Sequence, residues 1–243
     1  MVGLFMRYYG YGMGYYYFDP TYFLVLIGAV ISIIAQIRVN STFSKYSKVR
    51  SRSGMTGAMV AERILQSQGI YDVSINRVSG KLTDNYNPGN KTLNLSESVY
   101  DNTSVASIGV AAHECGHAIQ HARGYTPLSI RSAIFPAANI GSKLSWVFII
   151  AGLFFGMNQL LINVGIVMFC AAVAFQLVTL PVEFNASRRA MQIISQDGIL
   201  YPDEVSKAGS VLKAAALTYV AAAATAILQL LRLIILFGGR NRD

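Results

Sequence analysis

Three long stretches of the chain carry no charged side chain, and the segments between them alternate or show a helical stripe. Pro20 to Ile37 lies between Asp19 and Arg38, Leu144 to Val182 between Lys143 and Glu183, and Ala214 to Leu231 between Lys213 and Arg232. A helix rises about 1.5 Å per residue and a bilayer's hydrocarbon core is about 30 Å thick, so the first and third runs each fit one crossing. The middle run would make about 58 Å of helix, which predicts two crossings with a turn at Gly156-Met157-Asn158-Gln159. The third run also admits a second reading, a buried helix of a soluble region, because Ala221 to Ala224 is weakly apolar and Arg232 interrupts the apolar tail.

The polar region after Arg38 has shorter elements. Ser53 to Gln68 places Met55, Met59, Ile64 and Leu65 near one helical face, and Gly69 ends it. Tyr71 to Val78 sets Val73 and Ile75 on one alternation and reads as a strand; Asn87-Pro88-Gly89-Asn90 is a turn, and Thr92 to Leu95 reads as a second strand. The two strands form a small sheet. One reading is a plain sheet packed on the motif helix; the other makes the second strand an exposed edge where an extended peptide could add by main-chain pairing, and the sequence does not say which strand is the edge. Asn102, Thr103 or Ser104 caps a helix through Val105, Ile108, Ala111 and Ala112, which Gly124 or Pro127 stops. A further helix starts near Leu128 and passes through Pro136 into the middle apolar run, and residues 180 to 197 continue that run as a helix.

Composition agrees with a membrane: 53% of residues are apolar and 13% charged. The net charge of +8 raises nucleic acid as a partner, but the basic residues do not interleave with aromatics as a nucleic-acid surface requires. They sort by side instead. Arg38, Lys45, Lys48, Arg50, Arg52, Lys143, Arg188, Arg189 and Lys213 flank the spans on one side, against Arg7, Arg240 and Arg242 on the other. The positive-inside rule therefore places residues 38 to 143 in the cytoplasm; the expected location is the plasma membrane, as a multi-pass protein. The Tyr-rich stretch 8 to 18 suits a membrane interface, and without a basic leader or cleavage signal the first apolar run reads as an uncleaved anchor. Cys115 and Cys170 are the only cysteines; with one of them in a span, a disulfide is not expected, and Cys115 reads as a packing residue.

All three histidines fall within Ala111 to His121. On a helix, His113 and His117 share a face about 6 Å apart, close enough for both imidazoles to hold one Zn²⁺ at about 2.1 Å. Glu114 projects to the side, where it reaches a water activated by the metal. This His-Glu-x-x-His spacing, the signature of zinc peptidases with the glutamate as general base, arises by chance about once in a thousand chains of this composition. His121 continues the spacing, but it stands about 12 Å from His113, too far to share a tetrahedral zinc, so it reads as a hydrogen-bonded core residue. The third ligand must then come from elsewhere. If the middle run crosses twice, Glu183 emerges on the side of the histidines, with Ser187 one turn on. Pairing with Arg131, Arg188 or Arg189 is the alternative for Glu183, and Asp197-Gly198 is the alternative ligand motif, which would make the chain an intramembrane site-2-type protease.

His-Glu-Cys-Gly-His-Ala-Ile-Gln, followed after an apolar hairpin by Leu-Pro-Val-Glu-Phe-Asn-Ala-Ser-Arg-Arg-Ala, resembles the bacterial membrane-bound neutral zinc metallopeptidases of the YugP type. The resemblance extends to Lys-Leu-Thr-Asp-Asn-Tyr-Asn-Pro and Leu-Asn-Leu-Ser-Glu ahead of the motif. It implies a gluzincin-like site with His113, His117 and Glu183 as zinc ligands and Glu114 as catalytic base. The chain is also distantly similar to the HtpX and CAAX-processing membrane peptidases, whose ligand glutamate opens a Glu-x-x-Ala-Asp motif; here Ser187 stands in place of the aspartate. Their oxyanion-stabilising His or Arg has no counterpart, and Tyr219 is the candidate taken for that role.

The expected protein is thus an α-rich integral membrane protein with about four transmembrane helices and a small α+β zincin-like catalytic region. Its expected order is an aromatic tail (1–19), a first transmembrane helix (20–37), a catalytic region (38–143), a transmembrane hairpin (144–182), a third-ligand helix with a polar segment (183–213) and a fourth transmembrane helix (214–237). The expected function is a membrane-embedded zinc endopeptidase acting on peptides or membrane proteins, with the lipid bilayer as partner and no nucleic acid. A non-catalytic, zinc-stabilised membrane scaffold is the remaining alternative, and an intact Glu114 argues against it.

Overall fold

A computed structural model describes residues 19–238, so the aromatic tail, except Asp19, and the terminal arginines Arg240 and Arg242 lie outside the described residues. The elements are α1 (Tyr22–Tyr46), α2 (Gly57–Ser67), β1 (Ser74–Val78), β2 (Asn85–Asn87), β3 (Thr92–Ser96), α3 (Glu97–Tyr100), α4 (Val105–Ala122), α5 (Thr126–Phe154), α6 (Gln159–Gln196) and α7 (Pro202–Phe237). Four of them, α1, α5, α6 and α7, are long and apolar enough to cross a membrane. Their outer faces expose Ile33, Ile34 and Ile37 on α1, Ile140 and Val147 on α5, and Leu160 and Val167 on α6, an apolar surface that suits lipid and not water. The chain is an α-rich membrane protein. The Ala-rich part of α7 runs unbroken into the apolar tail, and α7 qualifies as a span.

The middle run turns where its glycine and asparagine predict. Gly156 (φ +71°) and Met157 (φ +64°) take left-handed conformations, and Asn158 caps α6 by accepting a hydrogen bond from the Leu161 N–H at 3.2 Å. α5 already begins at Thr126 and carries Pro136, and α6 continues past Pro181 without a break, so Glu183 sits on the same rod that crosses the membrane. α1 packs along α7 through the Thr225 hydroxyl, which lies 3.1 Å from the Ser32 hydroxyl and donates to the Gly28 carbonyl at 3.1 Å. At the far end of that pair, Arg232 reaches Asp19 at 3.2 Å and stacks on the Tyr22 ring.

The polar region is organised around α4, almost every residue of which is buried. Ser104 caps it, accepting from the Ser107 N–H at 3.2 Å, and Gly124 (φ +61°) follows its end. α2 covers α4 with Val60, Ala61, Ile64 and Leu65. Met59, expected on that face, points outward, because the helix begins only at Gly57 behind its cap Thr56 and the buried stripe follows from there.

The sheet has three strands in the order β1-β3-β2, with β1 parallel and β2 antiparallel to β3. This decides which strands are edges and corrects the reading that gave the second predicted strand that place. The second predicted strand, β3, is central, with Leu93 and Leu95 wholly buried, and the free edges belong to β1 and to β2. β2, Asn-Tyr-Asn, has a single apolar residue and no alternation to betray it; it forms because Tyr86 pairs with Leu93 and turns its hydroxyl to His121 at 2.8 Å.

Candidate metal centre

Helices α4 and α6 pack closely where they cross. At Gly116, inside the His-Glu-x-x-His stretch, a Cβ would stand 2.5 Å from the Ala186 carbonyl oxygen, so only glycine fits. The crossing brings Glu183, one turn before Ala186, against both motif histidines. Glu183 Oε2 lies 3.2 Å from His113 Nε2 and 3.5 Å from His117 Nε2, and one ligand atom from each of the three residues falls within 4.8 Å of the others. The side chains are 12%, 9% and 3% exposed for His113, His117 and Glu183, and the imidazole rings stand edge to face.

These residues suit zinc by their spacing and chemistry. Donors on one tetrahedral zinc at about 2.1 Å lie about 3.4 Å from each other, close to the separations found here. Each imidazole is also held from behind. His113 Nδ1 lies 3.1 Å from the Ser187 hydroxyl, and His117 Nδ1 lies 3.1 Å from Gln120 Oε1. With Nδ1–H donating to those oxygens, Nε2 of both rings keeps its lone pair for the metal, the usual tautomer arrangement around ligand histidines. Gln120 is itself fixed, its amide donating to the Val182 carbonyl at 2.8 Å and to Asn185 Oδ1 at 3.0 Å. One glutamine thus ties the His117 imidazole to the helix that bears Glu183.

Glu114 is buried beside this cluster. Burial pushes its carboxyl up to about 7; nearby His113 opposes the shift, and the negative charge of Glu183 adds to it. It opens, with His117 and Glu183, on a cleft of about 460 Å³ whose rim is the β2 segment from Asp84 to Pro88. Arg131 from α5 and Tyr219 from α7 complete the wall. Arg131 donates to Glu183 Oε1 at 3.2 Å, and Tyr219 lines the cleft together with the same carboxylate. The alternative partner for Glu183 and the ligand arrangement therefore coexist: one oxygen faces Arg131 and the other the histidines. Arg188 and Arg189 are not its partners; Arg189 instead donates to Asn185 Oδ1 at 2.7 Å.

The other candidates lie elsewhere. His121 binds Tyr86 and is not part of the cluster. Asp197, at the far end of α6, accepts from the Ser67 hydroxyl at 3.0 Å and caps its helix about 21 Å along the axis from Glu183. Cys115 is buried, facing the Ala61 carbonyl, and both cysteines are free. Sequence reasoning did not single out Gln120 or Asn185, and it took Arg131 only as an ion-pair partner. Gln120 carried a signal, since it stands three residues after His117 on the same helical face, in a helix whose residues apart from the three histidines and Glu114 are small or apolar.

The family described as "Putative neutral zinc metallopeptidase" matches residues 21–238. The chain is 47% identical over 222 residues, 91% of its length and 98% of the relative's, to the "Putative membrane protease YugP" of Bacillus subtilis (strain 168). No solved structure matches.

Proposed function

The chain belongs to this neutral zinc metallopeptidase family, and from that premise we propose that it is a membrane-embedded zinc endopeptidase whose active site faces the cytoplasm. The observation that carries the proposal is the convergence of His113 Nε2, His117 Nε2 and Glu183 Oε2 at metal-ligand spacing beside the buried carboxylate of Glu114.

His113, His117 and Glu183 hold the metal. Zinc bound there supplies a Lewis acid that polarises the scissile carbonyl and makes water a nucleophile near neutral pH. Glu114 takes the proton from the attacking water and passes it to the leaving amine. Ser187 and Gln120 keep the imidazoles oriented, and Arg131 restrains Glu183 through its other oxygen. The Tyr219 hydroxyl and the Arg131 guanidinium, both on the cleft wall, are the donors available to a developing oxyanion.

The substrate is an extended peptide segment laid along β2. That strand has one neighbour in the sheet, and its residues Asn85 and Asn87 line the cleft, so main-chain pairing would carry a peptide past Glu114. Leu128, Arg131 and Phe135 of α5 together with Tyr219 of α7 form the opposite wall, which sets the cleft where the polar region meets the spans and favours peptides or membrane proteins presented at the bilayer surface. The cytoplasmic orientation rests on the nine cations flanking the spans on the side of the histidines.

The test is Glu114→Gln in the purified full chain. It should keep zinc, since no ligand is lost, and lose cleavage of an unstructured protein such as casein by at least about a hundredfold. Near-full turnover by the variant would refute the role of Glu114, and zinc-loaded wild type without any cleavage would refute the peptidase reading.

A further inference from the structure

A second charged feature lies on the opposite side of α7 from the active-site cleft. Arg38, Thr42 and Lys45 of α1 and Ser210, Lys213 and Leu217 of α7 line a cleft of about 240 Å³. The three cations are exposed and come from chain segments far apart in sequence, and no carboxylate lines the cleft. Six of the other described cations, Arg52, Arg77, Lys91, Arg131, Lys207 and Arg232, each face a carboxylate, and none of the six lines this cleft. Like charges gathered without a counter-charge repel one another, and the arrangement is relieved when an anion enters.

The position of the cleft says which anion. Arg38 closes the apolar run of α1 and Lys213 directly precedes that of α7, so both mark the boundary between polar and apolar surface. The Ser32–Thr225–Gly28 hydrogen bonds hold the two helices side by side in that register. The cations therefore flank one cleft at the polar boundary of the two spans, Lys45 about two turns beyond Arg38 on α1. On the apolar side of that cleft, Ile34 and Ile37 of α1 and Leu217 and Val220 of α7 are exposed, offering surface to acyl chains. We propose that the cleft between α1 and α7 binds an anionic phospholipid, its phosphate held by Arg38, Lys45 and Lys213 and its chains laid along the exposed apolar faces of the two helices.

The experiment uses the full chain in neutral detergent, titrated with phosphatidylglycerol or with phosphatidylcholine of the same acyl chains and read by native mass spectrometry. Phosphatidylglycerol should bind in preference to phosphatidylcholine. A triple variant, Arg38→Gln, Lys45→Gln and Lys213→Gln, should weaken phosphatidylglycerol binding about a hundredfold, at about fivefold per cation near a membrane surface. The variant Lys48→Gln with Lys143→Gln removes exposed cations outside the cleft and should bind as wild type does. All changed side chains are exposed, and retained zinc content reports an intact fold. Unchanged phosphatidylglycerol binding by the triple variant, or equal binding of the two lipids by wild type, would overturn the proposal. Displacement of the lipid by millimolar inorganic phosphate would also overturn it, since the site would then take any phosphate anion.

Discussion

Replacing Gly116 with alanine tests how the metal centre is assembled without touching a ligand. The added Cβ would stand 2.5 Å from the Ala186 carbonyl oxygen, 3.0 Å from its carbon and 3.1 Å from its Cα, where ordinary contact begins at 3.4 Å. These are backbone atoms in the middle of a long helix, so no side chain can rotate away. α6 must withdraw by about 0.9 Å, the shortfall in that contact, and it takes Glu183 along because the carboxylate sits one turn from Ala186. Donor separations of 3.2 and 3.5 Å would then both widen away from the roughly 3.4 Å that one zinc demands. Overpacking of this kind costs about 1–3 kcal/mol of stability. The loosened site should lose about 10- to 100-fold in zinc affinity, the range seen when groups that orient ligands are removed. Competition against a chromophoric chelator measures the affinity, and thermal unfolding of the metal-free chain measures the stability. Gly109→Ala is the control, since its Cβ would come no closer than 3.3 Å to the Ala208 methyl and 3.6 Å to that residue's backbone, away from the Glu183 helix. If Gly116→Ala binds zinc as tightly as wild type, the close crossing does not set the site.

Other outcomes follow from the same contacts. Gln120→Leu strips the hydrogen bonds to His117, Val182 and Asn185 from a wholly buried position, and we expect about 10- to 100-fold weaker zinc binding by chelator competition. Tyr86→Phe removes the hydroxyl that joins β2 to His121; zinc content should not change, while cleavage of extended peptides should fall mainly through a higher KM. A cysteine introduced at Ser79, in the polar region, should resist an impermeant thiol reagent in intact cells and react after lysis; labelling of intact cells would reverse the proposed orientation.

The spans and the motif helix are legible because their signals are local. A charge-free run longer than one bilayer must turn, and Gly156 and Asn158 supply the turn; a five-residue motif needs only helical periodicity to align its histidines. The gathering of Glu183 with the histidines depends on a crossing between residues far apart in the chain, and Gly116 records that crossing only once the partner helix is known. The sheet order was not legible. β2 is a polar triplet fixed by its pairing with β3 and by one tyrosine hydroxyl, so the edge next to the cleft is set by tertiary contacts that alternation cannot report. Gln120 and Arg131 escape for a related reason, since a single polar residue on a helix takes its meaning from what faces it.

The central claim is that His113, His117 and Glu183 together form one zinc site, and its most direct test is the zinc content of the purified full chain after dialysis against a weak chelator. Wild type should retain one zinc per chain and His121→Ala the same, while Glu183→Ala should retain almost none. Stoichiometric zinc in Glu183→Ala, with loss of metal in Asp197→Ala, would contradict the site described and move the third ligand to the other end of α6.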